Sequence, residues 1–406
     1  MSALQEAVVR FLRHEEGALS LARQAARETP GAAAAHLFEA SLLLCSRDPR
    51  DFEAAAAPLA RARVLDKTPR EAVHEAALAA AAGGDYASAC RILDAAVEQD
   101  PRDLVALGVA HVFDYFLGNP ASIRGRSARA LARGNAAEPG YHAVLSMHAF
   151  ALQECGEYAA AEEAARRAAE LEPRDLRAWH AVSHVLEMQG RAGEGLRWLD
   201  EGERAWDGEG GASTHLWWHR ALLHLQQGDT ASPLALYDER IAGGGLSAMI
   251  DASALLWRLS LSNVFLKERF EALAVRWEPH AEDAHCAFND THAMMAFAGA
   301  RRWDLAARLL RALDRRLSGP HRGANYDMTR LVGLPACRAL LAYARGEHAE
   351  AQALLRALPP VAHRLGGSHA QRDVFQLTRA AAEAAARRAP KRFLGDLHAT
   401  PRLTAA

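Results

Sequence analysis

The sequence predicts an all-α solenoid of stacked helical hairpins, and three observations carry that prediction. Turn glycines recur at a fixed spacing: Gly84 to Gly118 and Gly156 to Gly190 are each 34 residues apart. Small residues follow two of these glycines at matching offsets, and a proline closes each unit seventeen residues on, at Pro101 and Pro173. Apolar residues repeat at helical spacing along the chain, with no strand-like alternation above background.

Each mark has a physical task. A glycine ends the first helix of a hairpin because a left-handed residue is favoured there. Ala89, Leu93 and Ala96 follow Gly84 at the offsets where Ala161, Ala165 and Ala168 follow Gly156. Side chains this small let the second helix nest against the first. Gly195, Leu199 and Gly202 repeat the pattern after Gly190, and Trp179 stands eleven residues before that glycine. The proline blocks continuation into the next hairpin. Trp, Gly, Ala and Pro marks in this order and period are those of a tetratricopeptide-type array. The expected fold is therefore a right-handed superhelix of about seven or eight hairpins.

Some linkers are longer, since Gly118 to Gly156 and Gly190 to Gly228 are each 38 residues. Gly346 marks a further turn, and segments 30–65, 249–278 and 285–316 read as helical with weaker marks. Asn119–Gly140, Gly208–Ser213, Gly243–Gly245 and Ser318–Asn325 are the expected breaks, the first long enough to hold a helix. The expected organisation is one array: divergent helices over 1–69, core repeats over 70–360, then a capping helix and tail over 361–406.

Composition narrows the function. Hydrophobic residues make up 50% and charged ones 24% of the 406, a globular balance. A formal charge of -2 supplies no basic field for a phosphate backbone, so nucleic acid is not the expected partner. The five cysteines form no CxxC pair, which argues against a disulfide framework or zinc ribbon. Arg and Glu interrupt every apolar run near the N-terminus. No signal peptide, membrane span or membrane partner is expected, and the expectation is a soluble cytoplasmic protein.

In such an array the first helix of each hairpin lines the concave surface, at positions ten, six and three residues before the turn glycine. Counting back from Gly190 gives His180, His184 and Glu187. At about 100° per residue these fall on one stripe of the helix. The same count from Gly84 gives His74. The next hairpin carries His215 and His219, again four apart, with Trp218 between them. Asp251 and Trp257 lie on the helix after that, and Asn289, Asp290 and His292 on a later one. Ten of the nineteen histidines lie between His142 and His292, which is unusual for a purely structural array.

Histidines spaced four apart on a helix point the same way and can ligate one transition metal, so His180, His184, His215 and His219 are metal candidates. Acid–base work needs an imidazole beside an orienting carboxylate; His184 with Glu187, or His292 with Asp251, are the candidate pairs. The competing reading is satisfied structural histidines hydrogen-bonded to Asp251, Asn289 or Asp290. Trp218 and Trp257 either floor a ligand pocket or plug gaps between helices. Arg372, in the least repeat-like segment, either holds an anionic group in the groove or is solvated on a capping helix. No HExxH, G-x-S-x-G or phosphate-binding glycine loop is present, and no cofactor is implied.

Several strings exceed what hairpin packing demands: His111-Val-Phe-Asp-Tyr-Phe-Leu-Gly118, Ala178-Trp-His-Ala-Val-Ser-His-Val-Leu-Glu-Met188, His215-Leu-Trp-Trp-His219, Asp251-Ala-Ser-Ala-Leu-Leu-Trp-Arg-Leu259, Phe288-Asn-Asp-Thr-His292, Val332-Gly-Leu-Pro335 and the run from Leu365 to Phe375. On these the chain resembles the tetratricopeptide repeat protein 38 family over roughly residues 70–380. The resemblance implies a single repeat array in a soluble protein and brings no reaction, substrate or cofactor with it. It also implies that His180, His184, His215, His219, Asp251, Asp290, His292 and Arg372 form one constellation.

Two functions stay open on the sequence. One is a scaffold gripping a peptide along its concave groove. The other is a small-molecule pocket, catalytic or not, where the polar residues converge. Polar inner positions gathered between 180 and 292, instead of spread over every hairpin, favour the small-molecule pocket.

Overall fold

The computed structural model describes residues 1–208, 210–321 and 323–388. The tail at 389–406 lies outside the described residues. Among the described residues the chain is all helical, each helix packing on its neighbours in sequence, as in an α-solenoid. No described helix is long and apolar enough to cross a membrane.

Local chemistry explains the hairpins. Asp85, Asp103 and Asp175 each cap the following helix by accepting a backbone N–H with a side-chain oxygen. At the hairpin turn Gly190 takes φ +69°, which a side chain would resist. Glu172 and Asp100, each before a proline, are extended and end their helices. Ala161, Ala165 and Ala168 are fully buried. A Cβ on Gly202 would overlap the Trp179 ring, so the missing side chain is what lets that indole seat between the helices.

The segments with weak marks are helical too, including Ala33–Leu44, Leu246–Leu261, Lys267–Trp277, Ala287–Gly299 and Trp303–Ser318. The long break after Asn119 holds the helix Pro120–Arg133. Two single π turns, Tyr237–Ile241 and Thr329–Gly333, were not legible as such.

The array closes on itself. The Ala3–Arg13 helix packs on Leu104–Leu117, and Arg177 Nη1 donates to the Leu12 carbonyl at 3.1 Å. From the other end, residues 363–373 run across the first half of the chain. The His369 backbone N–H donates to Glu154 at 2.9 Å, and the Tyr115 hydroxyl donates to Gln371 at 2.8 Å. Gly118, at φ +65°, lies directly against the His363 carbonyl. Arg258 reaches from the Leu246–Leu261 helix to the Ala370 carbonyl and the Asp373 carboxylate. The concave surface expected from the sequence is thus a hollow walled in part by these crossing contacts.

His74 is not part of that hollow. Its Nε2 sits 2.7 Å from Asp103, which Arg70 also grips with two hydrogen bonds. Burial pushes the Asp103 carboxyl up, but His74 and Arg70 outweigh it and hold the group well below the usual range. A depressed carboxylate contributes stability that is present above its unfolded value, about pH 4, and lost as pH falls through its lower native value. Asp103→Asn is expected to cost about 3 kcal/mol at pH 7, with the gap from wild type shrinking at pH 3, measured by urea unfolding at both values.

Candidate metal centre

Two neighbouring inner helices build the site. On Leu176–Met188 the four-residue spacing puts His180 and His184 on one face, and on Gly211–Gln226 it does the same for His215 and His219. The helices pack side by side, so the two pairs meet. One ring nitrogen from each of the four histidines lies within 4.8 Å of all the others. Ring centroids are 4.4 Å apart for His180–His184 and for His184–His219.

Carboxylates back two of the four rings. The Nδ1 of His219 is 2.7 Å from Glu187, and that of His215 is 2.9 Å from Asp251 on the next inner helix. An Nδ1–H donated to a carboxylate fixes the tautomer that leaves Nε2 with a free lone pair. The Nε2 of His219 is buried with no protein partner. Between His180 and His184 two Nε2 atoms face each other at 2.8 Å, where neutral rings can share one proton at most. Trp218 stacks on His215 at 5.0 Å, and Phe150 on His180 at 5.9 Å, which holds both rings in place.

Burial, followed by the neighbouring imidazoles, holds His180, His184 and His219 well below the usual histidine range. They are therefore neutral at pH 7, the form that ligates metal. Burial pushes Glu187 up to about 7, opposed by Arg258 and His215. An unsatisfied buried donor or acceptor costs about 1–3 kcal/mol, and this cluster concentrates several. The donor set fits a borderline transition ion such as Zn²⁺, Ni²⁺ or Cu²⁺. Four nitrogens held tetrahedrally at about 2.1 Å from one ion lie about 3.4 Å apart, so the widest-spaced pair would close by up to about 1.4 Å.

The site opens on a cavity of about 490 Å³ lined by His180, His215, Asp251 and, opposite in sequence, Arg47, Tyr115 and Gln371. His184 and His219 are fully buried behind it.

Other expected site residues are placed differently. Glu187 pairs with His219 and not with His184. Asp251 pairs with His215, while His292 puts its Nδ1 on the Phe288 carbonyl at 2.7 Å, so the His292–Asp251 pair does not form. Asp290 is buried with one oxygen unpartnered, and burial raises its carboxyl well above the usual range. No hydrogen bond or ring contact joins Asp290 or His292 to the four imidazoles among the described residues. Asn289 donates to the Arg47 carbonyl at 2.8 Å. Trp257 is a core residue whose indole donates to Thr378 at 2.9 Å. Arg372 is paired with Glu154 at 3.0 Å and donates to the Gly367 carbonyl, so it fastens the closing segment and carries no free charge.

Sequence reading missed Arg47. It lies outside every repeat mark, and only long-range folding brings it to the cavity. Tyr115 and Gln371 sit inside the strings singled out above, and that was a usable signal. No protein-family model matches the chain.

Proposed function

We propose that this is a tetratricopeptide-type protein, similar to the tetratricopeptide repeat protein 38 family, that binds a small molecule beside a transition-metal ion. The ion is held by His180, His184, His215 and His219, with Glu187 and Asp251 orienting two of the rings. The observation that carries the reading is the convergence of four imidazole nitrogens, two of them on carboxylate-backed rings, at the wall of a partly open cavity. Their concentration on two neighbouring helices, instead of along the whole array, makes a long peptide groove the weaker alternative.

Metal-assisted hydrolysis is the second reading. It is favoured by the exposure of His180, His215 and Asp251 to the cavity while His184 and His219 stay behind them. An ion so placed would present one side to a bound molecule and could activate water if one imidazole withdrew.

The test is elemental analysis of the full chain, purified without chelator and without a polyhistidine tag. About one equivalent of transition metal is expected, and chelator-stripped protein should regain it from Zn²⁺ with a rise in melting temperature. Protein that holds no stoichiometric ion by either route would end the metal reading.

A further inference from the structure

On the lining of the same cavity, Arg47 stands in an arrangement the metal does not explain. Its guanidinium lies 5.3, 4.6 and 4.2 Å from the ring centres of Tyr115, Phe116 and Phe288. No carboxylate pairs with it among the described residues. Its one polar contact is a weak one from Nη1 to the Cys286 sulfur at 3.6 Å, and Nη2 is buried with no acceptor. Aromatic faces soften the desolvation of a cation but leave its charge and its N–H donors unanswered.

Among the described residues the buried arginines, and half-buried Arg372, have oxygen acceptors for their donors, unlike half-buried Arg47. Arg126 is held by Asp94 and Asp114, Arg372 by Glu154, and Arg258 by Asp373. Arg177 is the nearest comparison, and it spends its donors on the Leu12 carbonyl and His14. Arg47 has neither.

A second donor stands beside it. Tyr115, whose ring faces Arg47, donates its hydroxyl to Gln371 Oε1, and the same oxygen accepts from the Ser368 backbone at 3.0 Å. With Oε1 so occupied, the side-chain amide nitrogen of Gln371 has no acceptor among the described residues. Arg47, Tyr115 and Gln371 all line the cavity that holds His180 and His215.

We infer that Arg47 and Gln371 form a binding site for the carboxylate of the cavity's ligand. The inference rests on the reading of that cavity as a small-molecule site. The charge balance selects a monoanion. One guanidinium offers a single positive charge, Glu15 is already paired with Arg174 and Asp251 with His215, and Glu16 on the same lining opposes a second negative charge on the ligand. Phe11, Leu42, Val112, Leu176 and Ile250 line the same cavity, which fits an apolar body. The ligand class is an amphiphilic monocarboxylate whose other end reaches the histidine cluster.

The test uses 3-phenylpropanoate and its neutral amide, 3-phenylpropanamide, as probes against the full chain, with affinities from calorimetry or ligand-observed NMR. Wild type is expected to bind the acid about tenfold or more tighter than the amide. Arg47→Gln should reduce that ratio to under about twofold, and Arg47→Lys should keep part of it, since a lysine retains the charge but not the fork. A purely structural Arg47 would lower stability in Arg47→Gln without changing the acid-to-amide ratio. Equal binding of both probes by wild type, or an undiminished ratio in Arg47→Gln, overturns the inference. Should Arg47→Gln fail to fold, the wild-type ratio and the Arg47→Lys ratio decide. Metal content is measured in parallel, because it separates the two readings. Acid preference without a metal sinks only the metal centre, and a metal without acid preference sinks only the carboxylate site.

Discussion

His219→Ala is expected to purify without the stoichiometric ion proposed for the wild type and to bind Zn²⁺ far more weakly. The ring is fully buried, its Nε2 has no other partner, and its Nδ1 is tied to Glu187. Nothing nearby can replace the lost nitrogen without repacking the wall. Glu187→Gln is the graded control, because it leaves all four ligands in place and weakens only the hold on one. Loss of such an outer partner costs about 10–100-fold in affinity, and loss of the ligand itself should exceed that. Competition titration against a chromophoric chelator would rank the three proteins. Melting temperature with and without Zn²⁺ gives an independent readout, since a ligand that binds only the native state must stabilise it. A His219→Ala protein that holds one equivalent with wild-type affinity would remove this residue from the centre.

Gly118→Ala should be the most damaging single methyl in the chain. Gly118 sits at φ +65°, where an L-residue pays about 1–2 kcal/mol. Its new Cβ would also overlap the carbonyl oxygen of His363, a backbone atom of the segment that closes the array. That collision cannot be relieved by turning a side chain. The closing segment must lift, and the total cost is expected to exceed about 3 kcal/mol. Gly156→Ala separates the two contributions: its φ is +80°, yet nothing lies within 4 Å of the added carbon. It should cost only the backbone part, about 1–2 kcal/mol. Urea unfolding of both variants gives the energies. Limited proteolysis should cut Gly118→Ala preferentially near Arg364, and unchanged resistance there would contradict the proposed clash.

What the sequence made legible follows the range of the forces involved. Turn glycines, caps and buried alanines act within one hairpin, so their spacing is written in the chain and the helical stack could be read from it. The inward stripe was readable for the same reason, because 3.6-residue periodicity alone puts His180, His184 and Glu187 on one face. Which imidazole Glu187 would hold was not readable. Three residues along a helix looked like the natural pairing with His184, but the carboxylate instead spans 32 residues to His219 on the neighbouring helix. Arg372 was weighed as an anion holder because its partner, Glu154, lies 218 residues away. Arg47 was invisible altogether, since its contact with Cys286 spans 239 residues. Periodicity carries no information about where a curved stack meets itself.

That meeting has a bearing on how the molecule comes apart. A linear stack of hairpins owes its stability to nearest neighbours, so its terminal units can fray while the middle survives. Here the first helix leans on residues 104–117 and the strap at 363–373 grips residues 115–118 and 154, so both ends of the stack are tied to the first half of the chain. Peeling off the last hairpin would unroof the hollow and strip the first half of its support. The ring is therefore expected to unfold as one cooperative unit, and its interior takes shape only once residues 363–373 have been made and locked across the first half.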